Sequence, residues 1–121
     1  MTRLITLLLL ILLPLTAFAE QNVNPGINDH YQNPNVSQWR GVFERDGREV
    51  WDRRDDIIRV LDLQPGMAIA DIGAGTGFFT MLMAREVGPM GKAYAGDIAP
   101  EFVKASEARA QGEGIGNIVG V

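Results

Sequence analysis

Residues 67–87 read MAIADIGAGTGFFTMLMAREV, and this stretch decides the fold. It opens with an apolar run, residues 67–72, which is bounded by glycines and is typical of a buried parallel strand. Glycines then alternate through residues 73–77, and Phe78–Val87 follows as a predicted helix. A glycine-rich turn between strand and helix lets a ligand approach the backbone closely, and the helix start offers free N–H groups. The stretch therefore predicts a ligand-binding loop of the nucleotide type.

The residues that follow continue the alternation of strand and helix. Lys92–Gly96 predicts a second short strand, residues 100–111 a second helix, and residues 117–121 a third strand. The order β-α-β-α-β is one half of a doubly wound parallel sheet, for which right-handed crossovers are expected. Asp97 comes about 20 residues beyond the glycine loop, at the carboxyl end of the second strand. An acid at that place can accept hydrogen bonds from both hydroxyls of a ribose.

The spacing of the loop glycines distinguishes between kinds of nucleotide. A dinucleotide-binding loop has glycine at its first, third and sixth positions. Here glycines stand at the first, third and fifth positions, and Phe78 stands at the sixth. Asp71, two residues before the loop, would repel a pyrophosphate. The pattern therefore favours a cationic ligand.

Two motifs resemble those of a known family. Residues 70–77, ADIGAGTG, resemble the first motif of the class I S-adenosylmethionine-dependent methyltransferases. Residues 94–98, YAGDI, are similar to the second strand of these enzymes with its ribose-binding acid. The resemblance covers roughly residues 50–121, and it implies a Rossmann-like α/β fold, S-adenosylmethionine as the cofactor and methyl transfer as the activity.

The resemblance also implies which residues bind the cofactor: Asp71, Gly73, Ala74, Gly75, Gly77, Asp97 and Ile98. The loop would surround the methionine part of the cofactor. Asp71 would lie near the amino group and the sulfonium, Asp97 would hold the ribose hydroxyls, and Ile98 would pack on the adenine. Ala99 departs from the pattern, in which a helix-capping serine is more usual. No catalytic residue and no metal ligand is identified.

The sequence before the motifs predicts three further segments. Residues 1–19 have a basic start, an apolar run at 4–15 and the small residues of a signal-peptidase site. The apolar run is shorter than the roughly 20 residues of a spanning helix. We expect cleavage after Ala19 and export to the periplasm or the medium, with membrane anchoring by an uncleaved signal as the alternative. Residues 20–38 predict a polar irregular arm, and residues 39–121 a partial cofactor-binding domain. This domain is preceded by an N-terminal helix, for which Asp46 and Glu49 have capping-box spacing.

The composition limits the classes of function. The 121 residues carry a net charge of −4, which argues against a nucleic-acid partner. The absence of cysteine excludes disulfide scaffolds, thiolate zinc sites and cysteine nucleophiles, and a single histidine leaves little room for a histidine metal site. The expected methyl acceptor is therefore a small molecule or a protein. Neither its identity nor the oligomeric state follows from the sequence.

The predicted sheet is incomplete. In an open α/β sheet the ligand lies where the strand order reverses, and this sequence stops in the third strand. We therefore expect the N-terminal part of an exported methyltransferase, inactive on its own, whose free first-strand edge is an aggregation liability. Two alternatives remain open. An NAD-type oxidoreductase shares the strand–loop–helix–strand plan, and a non-catalytic binding or assembly protein would pair its open edge with a partner.

Overall fold

The computed structural model describes residues 24–121. The predicted signal peptide, residues 1–19, lies outside the described residues. The described part contains a short 3-10 helix at Asp29–Tyr31 and the following helices and strands: α1 Val36–Phe43, α2 Glu49–Asp52, α3 Arg54–Val60, β1 Ala68–Ile72, α4 Phe78–Val87, β2 Lys92–Gly96, α5 Pro100–Gly112 and β3 Ile118–Gly120. In this part of the chain, no helix has the length and apolar character needed to cross a bilayer.

The three strands form one parallel sheet in the order β1-β2-β3. Ala70 pairs with Tyr94 across β1 and β2, and Tyr94 pairs with Val119 across β2 and β3. Each strand is joined to the next by a helix, because parallel neighbours require a crossover connection. The predicted β-α-β-α-β order of a Rossmann-like sheet is confirmed, and its boundaries agree with the predicted ones to within one or two residues.

Helices α4 and α5 cover one face of the sheet. Helix α4 contacts all three strands, and α5 contacts β2 and β3. The core lies between these layers and consists of apolar side chains, of which Phe102 is the largest: Met81, Met83, Ala84, Val87, Ala93, Ala95, Ala99, Phe102 and Ala110. Alanines in β2 allow both helices to approach the sheet closely.

Strand β1 is less buried than the sequence predicts. The apolar run 67–72 is typical of a strand covered on both faces, but the residues of β1 alternate between exposed and half-buried. Ile72 is 84% exposed. The reason is that β1 lies at the edge of the sheet and helices cover only one of its faces in residues 24–121. The prediction of a buried strand is therefore wrong for residues 24–121, within which the predicted free edge of β1 is observed.

The segment before β1 is more structured than predicted. Helix α1 begins at Val36, inside the predicted irregular arm, because Asn35 caps it by accepting a hydrogen bond from the Gln38 N–H at 3.0 Å. The predicted N-terminal helix is present, but it is divided into α2 and α3 at Arg53. Asp46 does not cap it. The Asp46 carboxylate instead accepts a hydrogen bond from the Trp51 indole at 3.3 Å, and Arg48 occupies the N-cap position.

Candidate functional site

A cleft of about 610 Å³ opens at the carboxyl ends of β1 and β2. Its volume is in the range of about 300–1,000 Å³ that small-molecule sites occupy. Six of the seven predicted cofactor-binding residues line it: Asp71, Gly73, Ala74, Gly75, Asp97 and Ile98. The fold thus brings two motifs that are separate in sequence to one place. This is the edge of an open α/β sheet at which ligands bind.

The glycine loop is held against the end of β2. The N–H groups of Gly73 and Ala74 both donate to the carbonyl of Gly96, at 2.8 and 2.9 Å. Gly73 has a φ of +75°, a conformation that residues with a Cβ rarely adopt. The loop can therefore follow this path only with glycine at such positions.

Gly77 does not line the cleft and has a different role. Its φ is +74°, and a Cβ at this position would lie 2.8 Å from the Cβ of Ser106 in α5, and closer still to the Ser106 hydroxyl. A residue without a Cβ is therefore needed at this position for the loop to pack closely against α5. The expected direct cofactor contact of Gly77 remains a prediction.

Asp97 connects the glycine loop to the loop after β2. One carboxylate oxygen accepts the Gly75 N–H at 2.9 Å, and the other accepts the Ala99 N–H at 2.9 Å. The second bond is an Asx turn, which orders the chain before α5 where Ala99 offers no capping side chain. Each carboxylate oxygen has a further lone pair, so Asp97 can still accept hydrogen bonds from a ligand.

Asp71 is a half-buried carboxylate on the helix-facing side of β1. It accepts a hydrogen bond from the Thr80 hydroxyl at 2.7 Å. Burial raises the pKa of Asp71, hydrogen bonds from Thr80 oppose the rise, and the negative charge of Asp97 adds to it. A cation beside Asp71 would offset both the free-energy cost of burying the Asp71 charge and its repulsion by the Asp97 charge. The cleft is therefore electrostatically suited to a positively charged group.

Ile98 lies at the mouth of the cleft. Its side chain is 66% exposed, although it is apolar. An exposed apolar side chain at the mouth of the cleft offers a surface on which a planar ring can pack.

One side of the cleft is formed by residues that the sequence motifs do not predict. Five residues from the segment before β1 line it, and we call them the N-terminal wall: Asn28, Tyr31, Phe43, Arg48 and Val50. The Phe43 ring lies against the glycine loop, since a Cβ on Gly75 would stand 3.1 Å from it. Tyr31, Trp39 and Phe43 form a row with ring centroids about 5 Å apart, 5.0 and 5.1 Å. The i,i+4 spacing of Trp39 and Phe43 was a signal for an apolar helix face, but it did not reveal what the face covers.

Glu44 anchors the N-terminal wall to the rest of the domain. Its carboxylate accepts hydrogen bonds from the Thr76 hydroxyl at 3.1 Å and from the Arg109 guanidinium at 2.6 Å. The Glu44 and Arg109 side chains are only 10% and 15% exposed. Because Thr76 belongs to the glycine loop and Arg109 to α5, this one carboxylate joins three segments around the cleft.

The comparison with protein families identifies this region. Residues 63–119 match the family model for the methyltransferase domain. The matched residues include β1, β2, the first two residues of β3, the glycine loop and both helices that cover the sheet.

Individual proteins give the same result. The chain is 31% identical over 65 residues to a demethylmenaquinone methyltransferase of Geobacillus kaustophilus, covering 54% of this chain and 28% of that protein. It is 34% identical over 65 residues to a protein-L-isoaspartate O-methyltransferase of Aeropyrum pernix, covering 54% and 25%. The chain therefore spans about a quarter of the length of these curated relatives.

A solved structure extends the similarity to the fold. An S-adenosylmethionine-dependent O-methyltransferase from Thermotoga maritima superposes with a TM-score of 0.56 at 26% identity, covering 72% of this chain and 33% of that one. Residues 63–119 are thus similar to a methyltransferase domain, and the described residues have the Rossmann-like fold of the S-adenosylmethionine-dependent enzymes.

Proposed function

We propose that the cleft binds S-adenosylmethionine and that the protein transfers its methyl group to an acceptor. The observation that carries the proposal is the position of Asp71 and Asp97. They stand at the carboxyl ends of neighbouring strands, on either side of a glycine loop, and line one cleft. The similarity to methyltransferases in sequence and fold supports the same function.

The residues of the cleft fit the chemical groups of this cofactor. Asp71, whose pKa burial raises, is suited to the ammonium and sulfonium charges. Asp97 keeps lone pairs for the ribose hydroxyls, and the exposed Ile98 offers an apolar surface for the adenine. The open space beside Gly73, where a Cβ would meet no atom within 4 Å, would accommodate the methionine chain. These roles are our proposal for each residue.

When bound, the cofactor supplies an electrophilic methyl group on a sulfonium. The work of the protein is then to orient this group toward the acceptor and to exclude water, which requires positioning more than proton transfer. The N-terminal wall, whose Phe43 ring packs on the glycine loop, would extend the surface that holds the cofactor. The aromatic side chains Tyr31 and Phe43 would reduce the access of water to it.

We propose a small molecule or a protein as the methyl acceptor. The two relatives named above are a demethylmenaquinone methyltransferase and a protein-isoaspartate methyltransferase, so the similarity extends to enzymes of both classes. A net charge of −4 supports an acceptor other than nucleic acid. We further propose that the protein is exported, which rests on the sequence of residues 1–19 alone.

Isothermal titration calorimetry of the full chain tests the proposal. S-adenosylhomocysteine is expected to bind, and Asp97→Ala is expected to weaken binding by tenfold or more, because hydrogen bonds to a charged group contribute about 1.5–3 kcal/mol. Glu86→Ala is the control, since it also removes one carboxylate, but from the exposed side of α4 and outside the cleft. Binding of NAD⁺ without binding of S-adenosylhomocysteine would instead indicate an oxidoreductase. Binding of neither would favour a non-catalytic protein.

A further inference from the structure

The charges that line the cleft are unequal. Asp71 and Asp97 contribute two carboxylates, and Arg48 is the one cationic side chain among the lining residues that the structure describes. A ligand that carried only positive groups would be repelled by the charge of Arg48. A zwitterion, with an ammonium and a carboxylate on one carbon, would satisfy both signs.

Arg48 is held beside the glycine loop by its own contacts. It is half-buried, and its Nη1 donates to the Phe43 carbonyl at 3.1 Å. Its guanidinium carbon lies 5.5 Å from the centroid of the Phe43 ring, the ring that lies against Gly75. Phe43 therefore places the guanidinium in the N-terminal wall of the cleft.

The charge of Arg48 is not neutralised by a neighbour. Within residues 24–121 no carboxylate forms a salt bridge with it, whereas Arg40, Arg85 and Arg109 each have at least one. A guanidinium has five N–H donors, of which the Phe43 carbonyl uses one. The remaining donors form a planar fork that fits both oxygens of a carboxylate.

We propose that Arg48 is a carboxylate-binding subsite of the cleft and that it receives the α-carboxylate of the cofactor's methionine chain. This inference rests on the proposed function. Asp71 and Arg48 would then recognise the two charges of the amino-acid group from different elements, β1 and the turn before α2. The N-terminal wall thereby becomes a part of the cofactor site that provides selectivity for the charged end of the ligand.

Arg48 could also have only a structural role, since it holds the Phe43 carbonyl and packs on the Phe43 ring. The two roles differ in one measurable respect. Loss of a structural contact lowers the affinity for every ligand of the cleft alike. Loss of a carboxylate contact lowers the affinity only for ligands that carry the carboxylate. Two ligands that differ by this group alone can therefore separate them.

The test compares S-adenosylhomocysteine with its decarboxylated analogue, 5′-deoxy-5′-(3-aminopropylthio)adenosine, by calorimetry on the full chain. Wild-type protein is expected to bind S-adenosylhomocysteine more tightly, by about 10- to 100-fold. Arg48→Met is expected to remove this preference while leaving the affinity for the analogue within about threefold. Arg48→Lys keeps the charge but loses the fork, so it is expected to retain only part of the preference.

Arg54→Met is the matched control. Arg54 also donates to a main-chain carbonyl, that of Trp51 at 2.8 Å, and its guanidinium also lies over an aromatic ring, at 4.8 Å from the Trp51 centroid. It does not line the cleft. This variant is expected to keep the wild-type preference between the two ligands.

Three results would overturn the inference. Equal affinities of wild-type protein and Arg48→Met for S-adenosylhomocysteine would show that Arg48 does not contact the ligand, as would be the case if it served an acidic acceptor. An equal loss for both ligands would assign Arg48 a structural role. If wild-type protein binds neither ligand, the proposed function fails and the inference fails with it. Only the first two results refute the inference alone.

Discussion

Replacing Gly77 with alanine tests how closely the glycine loop packs on α5. Gly77 has a φ of +74°, and a Cβ there would stand 2.8 Å from the Ser106 Cβ and 3.2 Å from its Cα. Ser106 is fully buried, and its Cα belongs to the backbone of α5. The collision therefore cannot be relieved by rotating a side chain, and the loop or the helix has to move.

The expected cost has two parts. A residue with a Cβ in the left-handed conformation costs about 1–2 kcal/mol. Inserting a methyl group into a well-packed core costs about 1–3 kcal/mol more. Gly77→Ala is therefore expected to lower the free energy of unfolding by about 2–5 kcal/mol, a large part of the roughly 5–15 kcal/mol of a typical domain.

Denaturant unfolding followed by tryptophan fluorescence measures this change. Gly112→Ala is the matched control, since a Cβ at Gly112 meets nothing within 4 Å, and it is expected to be neutral or slightly stabilising. In a Ser106→Gly background the cost of Gly77→Ala is expected to fall, because the colliding Cβ is gone. A loss below about 0.5 kcal/mol for Gly77→Ala would refute the packing argument, and an unchanged cost in the Ser106→Gly background would refute the assignment of the collision.

Two further substitutions address the charges around the cleft. Because burial raises the pKa of Asp71, ionising this carboxyl costs more in the folded state than in the unfolded state. The free energy of unfolding of the wild type therefore falls as the pH rises toward and through the folded-state pKa. Asp71→Asn carries no ionisable group there and is expected to be more stable than wild type at pH 7. This difference is expected to disappear below about pH 4, the ordinary pKa of an aspartate, and a difference of opposite sign in unfolding titrations across pH would contradict it. Arg109→Met removes the closest partner of the Glu44 carboxylate, which is only 10% exposed, and is expected to lower the free energy of unfolding by about 1–3 kcal/mol. Arg53→Met breaks an exposed pair with Glu49 and is expected to lower it by less than about 0.5 kcal/mol. Equal costs for the two arginine variants in thermal unfolding would refute the importance of burial.

The part of the fold that follows from the sequence is the part governed by local pattern. An apolar run, a glycine loop and a helix occur in immediate succession at 67–87, and each restricts the conformation of the next. The acid at Asp97 follows from the same pattern, because parallel strands bring their carboxyl ends to one edge. The beginning and end of β2 and α4 could be predicted for this reason.

The N-terminal wall depends on contacts between residues far apart in the chain. Phe43 packs on Gly75, and Glu44 binds Arg109, which is 65 residues away. Neither the aromatic spacing nor the charge of the segment specifies such a partner. The predicted cap at Asp46 was wrong for a related reason: its carboxylate bonds the Trp51 indole, a side-chain contact that competes with the capping box.

The burial of β1 could not be predicted from its composition. An apolar run predicts a strand covered on both faces, yet the exposure of Ile72 is decided by which other elements lie next to the sheet. The residues 24–121 provide a layer on one face only.

The central claim is that the cleft at the ends of β1 and β2 binds S-adenosylmethionine. The most direct measurement is a titration of ¹⁵N-labelled protein with S-adenosylhomocysteine, followed by amide chemical shifts. We expect the amides of Gly73, Gly75 and Ile98 to shift, and those of Gly112 and Gly116, which lie outside the cleft, to stay in place. An unchanged spectrum, or shifts at the cleft with NAD⁺ but not with S-adenosylhomocysteine, would contradict the claim.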